Sequence, residues 1–487
     1  MSNEPKKKSR REALKAGLGA AAFLAGGSTV AGRARFSVAR PNEPAALRSP
    51  WDDLPKILAR IKAPQFRDHA VYVNKFGAVG DNKTDCTEAF QKAIAACGKA
   101  GGGRVVVPKG EFSTGAIVLK SNVNLHLDEG ATIRFSRDTL KYPVVFTRYE
   151  GTELMNFSPL IYAFEQENIA ITGQGTIDGN ADCQNWWNWV GGPHCGGQST
   201  NREGFSKDRN SLHDLAENGV PVNQRIFGPG HYLRPPFIQP FRCKNVLIEG
   251  VTLLNSPMWH VTPALCTNVT VRGLTIRSAG PNTDGCNPDS SSDVLIENCL
   301  FQTGDDCIAI KSGRNADGRR LHTPSENIVV QNCHMQDGHG GVTIGSEDSG
   351  GVRNVFAQNC EMDSPNLDIA IRVKNNAARG GDVEGLYVRN IRVGQVATAG
   401  LAIDFYYEEG ESGKYTPIAR NVDIRSLTLG KAKYALYLRG FKSAPIENIH
   451  LTDCTFDGVT TANVVENVKD LSLSNVRING KPADQSS

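Results

Sequence analysis

The segment Asn245–Asn255 reads NVLIEGVTLLN, and its pattern decides the fold. An Asn is followed by a short run rich in apolar residues, then by a Gly turn and a second short run of the same kind. Short runs of this kind, bounded by turn residues, predict β-strands and not a helix. The segment therefore predicts two strands joined by a tight turn.

The same pattern recurs along most of the chain, and in copies such as DLSLSNVRING apolar and polar residues alternate. Further copies start at Asn168, Asn268, Asp293, Asn327, Asn354, Gly385, Asn421, Asn448 and Asp470. From Asn245 onward the starts lie roughly 22 to 36 residues apart, with no helical pattern between the strands. A repeat of this length without helices predicts a solenoid. The expected fold is all-β, a right-handed parallel β-helix.

Several cysteines fall in the register of this repeat. At the sixth position after a start, some copies carry Val or Leu and others carry a cysteine. These cysteines are Cys299, Cys333, Cys360 and Cys454. They are therefore expected to pack in the core, and not to form a disulfide framework or a zinc site. A single bridge between Cys183 and Cys195 is left open.

Residues 1–34 are predicted to be a removable export signal. A basic segment with Arg10 and Arg11 precedes a short Ala/Gly-rich run, which resembles a twin-arginine signal with Ala13 where Phe is usual. The run is too short and too rich in glycine for a transmembrane helix. Removing residues 1–34 changes the net charge from +3 to about −2, so nucleic acid is not an expected partner. The alternative is a basic tail leading into a surface helix.

The rest of the chain is expected to be a linker over 35–70 and a single β-helix domain over 71–487. The segment from Asp81 to Gly103 predicts a short capping helix, with Asp85 and Glu88 as a capping box. A polar insertion over about 178–240 is expected to lie over the binding face. Its aromatic cluster is expected either to stack on a sugar or to anchor the loop, and consists of Trp186, Trp187 and Trp189. By contrast, Trp259 is expected to pack beneath the site.

The register of the repeat brings ionisable residues together. Asp305 lies twelve residues after its start and His339 lies twelve after the next, so one is expected directly above the other. Asp284 belongs to the coil below, and Arg372 and Lys374 flank an apolar residue in the coil above. Strand alternation then directs both cations to the outer face.

This arrangement predicts hydrolysis of a glycosidic bond. In inverting enzymes one carboxylic acid protonates the leaving oxygen while another carboxylate activates water, with the two about 6.5–9.5 Å apart. Asp306 is adjacent to Asp305, and neighbouring acids raise one another's pKa, which keeps one of them protonated near neutral pH. Arg372 and Lys374 suit an anionic sugar, so the expected substrate is a uronic acid.

At this point the chain resembles glycoside hydrolase family 28, the polygalacturonases. The resemblance rests on four motifs in order: NTD at 282–284, GDD at 304–306, GHG at 338–340 and RVK at 372–374, where the family usually has R-I-K. It implies that Asp305 is the general acid, that Asp284 and Asp306 activate water, and that His339 supports the acid. It also implies a set of substrate-binding residues, which are Asn282, Gly340, Arg372, Lys374 and Tyr406. Tyr407 remains an alternative to Tyr406.

Long loops at Lys311–Arg320 and Gly345–Asn354, together with the insertion, resemble exo-acting bacterial members of the family. Loops that block one end of a groove leave a pocket that admits only chain ends. The expected partner is acidic pectin, with no cofactor, no metal, no nucleic acid and no membrane contact after signal removal. A periplasmic or secreted monomer is expected.

Three other functions remain open on the residues alone. A calcium-dependent pectate lyase would use the same acids as metal ligands and an Arg or Lys as the base. A hydrolase of rhamnogalacturonan would share the fold and the site. A non-enzymatic adhesin or binding module would share only the fold.

Overall fold

Three parallel β-sheets run the length of the molecule and form the walls of a parallel β-helix, as the repeat predicts. The computed structural model describes residues 49–483. The predicted export signal at 1–34 and residues 35–48 of the predicted linker lie outside the described residues.

Successive turns of the chain contribute strands to the three sheets in order, and in two turns isolated bridges, such as those at Val261 and Cys286, stand in place of a strand of the third sheet. The first sheet holds Ala70–Tyr72, Gly103–Val107, Val123–Leu127, Glu167–Gly173, Lys244–Glu249, Thr267–Arg272, Ser292–Glu297, Ser325–Gln331, Val352–Gln358, Asp382–Val393, Ile418–Leu429, Ile446–Thr452 and Val468–Ser474. The second holds Asp81–Asp85, Gly110–Thr114, Ala131–Phe135, Thr176–Asp178, Thr252–Leu254, Thr275–Ser278, Leu300–Thr303, His334–Ile344, Glu361–Met362, Thr455–Phe456 and Arg477–Ile478. The third holds Ile117–Val118, Ile161–Phe164, Ile238–Phe241, Ile308–Ile310, Leu367–Lys374, Ala399–Asp404, Tyr434–Arg439 and Val464–Glu466.

Three long strands bend from one sheet into the next. Asp382–Val393 and Ile418–Leu429 continue from the first sheet into the second, and His334–Ile344 continues from the second into the third. Antiparallel pairing occurs between Val144–Tyr149 and Thr152–Phe157 and between Arg477–Ile478 and Lys481–Pro482.

Four α-helices and six short 3-10 helices complete the described structure. The α-helices are α1 (Leu54–Arg60), α2 (Thr87–Lys99), α3 (Arg202–Glu217) and α4 (Asn315–Leu321). The 3-10 helices are Pro50–Asp52, Val73–Phe76, Thr139–Lys141, Trp186–Trp189, Pro193–Cys195 and Val222–Gln224. None of the helices in residues 49–483 is long and apolar enough to cross a membrane.

The residue that starts each coil has a left-handed backbone. Asn245 and Asn268 have φ values of 55° and 59°, a region that Asn enters more easily than most residues. The side-chain amide of Asn245 donates to Oδ1 of Asn168 at 2.9 Å, and that of Asn268 donates to Oδ1 of Asn245 at 2.7 Å. This asparagine ladder repeats the same bend in successive coils, which explains why Asn marks the start of the repeat.

The interior between the sheets is apolar, and the cysteines in register lie in it. Cys299, Cys333, Cys360 and Cys454 are all buried, as predicted. The bridge left open by the sequence is formed between Cys183 and Cys195 in the long insertion.

At the N-terminal end of the core, α2 packs Phe90 and Ile94 over the first coils. The helix is therefore the predicted cap, but the predicted capping box is wrong. Asp85 accepts a hydrogen bond from the backbone N–H of Thr87, the first helical residue, and Glu88 pairs with Lys92. The helix starts one residue too late for Asp85 to be its N-cap.

Part of the predicted linker is ordered on the outside of the first sheet. Trp51, Leu54 and Ile57 cover Val329 and Phe356, two apolar side chains that point outward from that sheet. The segment 49–61 is therefore packed structure, because these outward apolar residues need a cover.

The outer face of the third sheet is covered on its N-terminal side. The hairpin 144–157 packs Phe146 near Phe241, and its Arg148 forms a fully buried ion pair with Asp289 at 3.2 Å. Behind the hairpin, Asp317 of α4 accepts a hydrogen bond from the backbone N–H of Glu153. We call the hairpin, α3 and α4 the N-terminal wall.

Candidate active site

Three aspartates converge where the chain enters the third sheet. One carboxylate oxygen from each of Asp284, Asp305 and Asp306 lies within 4.8 Å of the other two. Asp306 is 0% exposed and Asp284 is 2% exposed, whereas the side chain of Asp305 is 17% exposed. The predicted juxtaposition of the three aspartates is therefore confirmed. Of the three side chains, that of Asp305 is the one accessible to solvent.

His339 lies one coil above Asp305, as the register predicts. Its Nδ1 is 3.0 Å from Oδ1 of Asp305, and its ring is 56% exposed. The hydrogen bond to Asp305 and the charge of that carboxylate raise the pKa of His339 to about 9. Burial acts to raise the pKa of Asp305, but the hydrogen bond and charge of His339 outweigh it and lower that pKa. In the free protein the two residues thus share one proton, held on the imidazole.

Asp306 is held by its neighbours on the next two coils. Lys374 donates to Oδ2 at 2.7 Å and Thr343 donates to Oδ1 at 3.2 Å. Arg372 lies 3.9 Å from Oδ1 and donates to the backbone carbonyl of His339 at 3.2 Å. Both cations point outward from the third sheet, as alternation predicts, but Lys374 is buried against Asp306 and only Arg372 is partly open.

Asp284 is the most isolated of the three carboxyl groups. Asn287 donates to its Oδ2 at 2.8 Å, and the ammonium of Lys311 lies 3.9 Å from the same oxygen. Its buried Oδ1 has no hydrogen-bond partner among the described residues. Burial, followed by the charge of Asp305, raises the pKa of Asp284 well above its usual range. Asp284 therefore keeps a proton more readily than Asp305 does.

The cluster is poorly suited to calcium. Calcium takes six to eight oxygen ligands, and the three aspartates are the described residues that could supply carboxylates here. However, His339, Lys374 and Lys311 already place a cation beside each carboxylate. A metal ion would have to displace or repel all three, which disfavours a calcium-dependent lyase.

The separation of the carboxyl groups is shorter than the range expected for an inverting enzyme, since the nearest oxygens lie within 4.8 Å. The spacing alone therefore does not support the expected inversion, since a separation of about 5–5.5 Å is typical of retaining enzymes. A direct nucleophile would need an open oxygen; both oxygens of Asp306 are engaged, whereas Oδ1 of Asp284 has no hydrogen-bond partner among the described residues.

The preference for Tyr406 over Tyr407 is not supported. The ring of Tyr407 lies 5.5 Å from the guanidinium carbon of Arg372 and 5.2 Å from the ammonium of Lys374. Tyr406 instead lies over Arg439, 4.4 Å away and farther along the helix. The strand Ala399–Asp404 ends before both tyrosines, so strand alternation could not decide between them.

Asn282 and its loop are held by a buried arginine that sequence patterns missed. Arg234, from the end of the long insertion, donates to Oδ1 of Asn282 at 2.7 Å and to the backbone carbonyls of Pro257 and Pro281. This fixes the loop that leads into Asp284. Its separation of 48 residues from Asn282 gives no local sequence signal.

Three further residues of the site were missed: Asn287, Lys311 and Thr343. All point outward from the third sheet beside an aspartate. Two of them could have been found by aligning the third strands of successive coils as well as the first two. Thr343 pairs with Arg372 in the next coil, and Lys311 pairs with Asp289 in the preceding one.

The tryptophans mainly anchor the insertion. Trp186 is buried and packs edge-on against Tyr142 and Phe157, and Trp187 donates to the backbone carbonyl of Ser256 at 2.8 Å. Trp259 is buried as expected, 4.6 Å from the ammonium of Lys311, but it packs with Tyr149 and Leu212 of the N-terminal wall and not in the core beneath the site. Anchoring is therefore the better of the two expectations for Trp186.

Gly340 touches the site so closely that a side chain would disturb it. A Cβ there would overlap the hydroxyl of Thr343 and approach Oδ1 of Asp306 to 2.9 Å. We expect Gly340→Ala to lower kcat by about 10- to 100-fold, as for displacements near 1 Å in other sites. The matched control is Gly98→Ala in α2, where the nearest atom is 3.7 Å away. Equal activity of both variants would contradict the role of Gly340.

Comparison with known proteins gives a consistent result. The family model described as glycosyl hydrolases family 28 matches residues 230–479, and one described as rhamnogalacturonase A/epimerase, pectate lyase-like, matches 70–182. A "Probable polygalacturonase" of Vitis vinifera is 30% identical over 80% of this chain and 74% of its own. An "Exo-poly-alpha-D-galacturonosidase" of Dickeya chrysanthemi is 29% identical over 71% of this chain and 59% of its own. The crystal structure of a hyperthermoactive exopolygalacturonase from Thermotoga maritima is 43% identical, covers 89% of this chain and 97% of its own, and superposes with a TM-score of 0.86.

Proposed function

The chain belongs to glycosyl hydrolases family 28, and from this premise we propose that it hydrolyses polygalacturonate and releases sugars from a chain end. The observation that carries the proposal is the three-aspartate cluster beside the outward-facing Arg372 on one face of the third sheet. The acids supply the chemistry of bond cleavage, and the guanidinium suits a uronate carboxylate.

Asp305 is the general acid of the proposed reaction. It is the most open of the three carboxyl groups, so it can reach a glycosidic oxygen. Its proton comes from His339, because the pair shares one proton over 3.0 Å. When a bound sugar expels water, the ion pair loses solvation, and the neutral arrangement with the proton on Asp305 becomes more favourable.

Water is held between Asp284 and Asp306 in this proposal. The unpartnered Oδ1 of Asp284 supports this role, since a buried carboxylate oxygen needs a donor. Asp306 is the better acceptor of the water's proton because Asp284 keeps its own proton to higher pH. Attack by a held water, and not by a carboxylate, gives inversion at the anomeric carbon.

Substrate binding is assigned to Arg372, to Tyr407 beside it and to Asn282. Lys374 acts on the substrate mainly by fixing Asp306. Gly340 leaves room for the sugar next to these groups.

Exo action is supported by the N-terminal wall. The hairpin packs Phe146 near Phe241 and accepts a hydrogen bond from the side chain of Gln239 at the backbone carbonyl of Arg148, which covers the outer face of the third sheet on the N-terminal side of Asp284. On the other side of the site, the same face continues through residues that remain partly exposed, such as Tyr437. A groove closed at one end admits a chain terminus, which agrees with the exo-acting names of two similar proteins.

Export and a monomeric state complete the proposal. The disulfide between Cys183 and Cys195 supports export, because disulfides persist in oxidising compartments. All catalytic groups named here come from one chain, so a monomer is sufficient. The partner is acidic pectin in the periplasm or outside the cell.

The shared proton makes the reaction sensitive to alkaline pH. Because the folded pKa of His339 is raised to about 9, the pair holds its proton below that pH and loses it above; its contribution to stability is fully present below about pH 6.5 and is lost as the pH rises to about 9. We expect kcat/KM of the wild type to fall as pH passes about 9. In His339→Asn the alkaline limb should move down by roughly two pH units or more, because an unsupported carboxyl group holds the proton less strongly. If the alkaline limb of the pH profile stayed in place while kcat fell, His339 would have a structural role and would not supply the proton.

The function itself is tested by proton NMR of the purified full chain with polygalacturonate. New β-anomeric reducing ends in the first minutes, with monogalacturonate as the sole early product, would establish inverting exo hydrolysis. Olefinic signals would indicate a lyase and overturn the proposal. Products from rhamnogalacturonan alone would keep the hydrolase and change the substrate, whereas no product from either would favour a binding module.

A further inference from the structure

The outer face of the third sheet continues past the site in one straight column. Thr343 pairs with Arg372, Arg372 pairs with Ala402, and Ala402 pairs with Tyr437 in successive coils. With strands about 4.8 Å apart, Tyr437 lies about 10 Å beyond Arg372 along the axis. The small side chain of Ala402 leaves a shallow floor between the two.

This floor is bounded by aromatic rings and a cation. Tyr434 and Tyr437 pack over Ala399 and Ala402, and both rings remain partly exposed. The guanidinium carbon of Arg439 lies 4.4 Å from the ring centre of Tyr406 and 5.9 Å from that of Tyr437. Aromatic faces suit sugar rings, and an arginine held between two of them is preoriented for a carboxylate.

The charge of Arg439 is available to a ligand. Its Nη1 donates to the hydroxyl of Tyr437 at 3.3 Å and its Nε pairs with Glu466 at 3.1 Å, but the Glu466 side chain is 51% exposed. Ion pairs with such exposed partners contribute little free energy, so a substrate carboxylate can replace this one at small cost. Lys433 adds a second cation 5.0 Å from the ring of Tyr434.

We propose that Tyr406, Tyr437 and Arg439 form a second uronate-binding subsite, which holds the polymer on the side of Arg372 opposite the N-terminal wall. The inference rests on the proposed function, since a groove closed at one end must let the rest of the chain leave at the other. It also gives Tyr406 a role one step farther from the cleaved bond than the sequence suggested.

The test compares oligogalacturonates of two to five units on the wild type, Tyr437→Ala and Arg439→Gln. A dimer fills only the positions next to the cleaved bond, whereas a tetramer reaches the second subsite. We expect each variant to lower kcat/KM on the tetramer by about tenfold, as for one charge-assisted hydrogen bond, mainly through KM. The change on the dimer should be less than twofold.

Two further variants make the outcome decisive. Tyr437→Phe keeps the ring and should retain most of the activity on the tetramer. Arg425→Gln removes an arginine paired with Asp423 on the first sheet and should have no effect. Equal losses on dimer and tetramer, or no loss on either, would overturn the subsite. A wild type inactive on every length would instead overturn the proposed function.

Discussion

Replacing Asp305 by Asn is expected to lower kcat on polygalacturonate by about 10³-fold, within the range that a general acid contributes. Asn keeps the shape of the side chain and its Oδ1 acceptor for the backbone N–H of Asp306, but it carries no acidic proton. The fold should therefore persist while the leaving oxygen goes unprotonated. Initial rates of reducing-end formation and a thermal denaturation curve measure the two effects separately.

The matched control is Asp363→Asn, an exposed aspartate in a neighbouring coil. It should leave both rate and melting temperature unchanged. If Asp305→Asn retained more than a tenth of the activity, another residue would have to be the acid. Asp284 would then be the first candidate, because its raised pKa keeps it protonated.

Replacing Lys374 by Met is expected to harm stability as well as activity. Lys374 is the 2.7 Å partner of Asp306, whose side chain is fully buried. Removing one member of a buried pair typically costs about 3–5 kcal/mol, because the other charge stays buried without compensation. We expect a lower midpoint of thermal denaturation and a kcat reduced by about 10²-fold or more, since Asp306 would move or take up a proton.

The double variant Lys374→Met/Asp306→Asn distinguishes the two effects. With both charges gone, the denaturation midpoint should recover much of the loss, whereas the activity should remain low. If the denaturation midpoint did not recover, Lys374 would stabilise the fold through a contact other than the one with Asp306. Lys374→Arg, which retains the charge, should fall between the wild type and Lys374→Met.

The sequence predicted the coil register well because that register has a local cause. The left-handed Asn at each start and the buried residue six positions later are both visible in the chain itself. Once the register is known, residues at equal offsets in neighbouring coils are expected to lie close together, even though the pairing shifts by one residue between Phe301 and Gln302. Asp305 and His339 were placed together in this way, and their nitrogen and oxygen lie 3.0 Å apart.

The predictions were weakest for residues that lie outside the repeated strands. Tyr406 and Tyr407 follow the end of a strand, Asp85 lies just before a helix, and Arg234 comes from a loop with no repeat. The protonation of Asp305 was also beyond sequence reasoning, because it depends on the balance between burial and a nearby imidazole. The position of a residue within the repeat shows which residues lie next to one another. It does not show whether Asp305 or His339 holds the proton.

The asparagine ladder has a consequence for how such a chain can change length. Where two successive coils both start with Asn, a rung joins them through the side-chain amide, as between Asn245 and Asn268, whereas coils that start with Asp293, Gly385 or Asp470 interrupt the series. Gain or loss of one residue within a strand would turn its core side chains outward, whereas duplication of a whole coil would add one more rung. We therefore expect duplication of a whole coil to be tolerated outside the coils from Asp284 to Tyr407. Inside them, an added coil would separate the residues of the site. Within those coils, the corner after the third sheet already accommodates extra length, since α4 lies there.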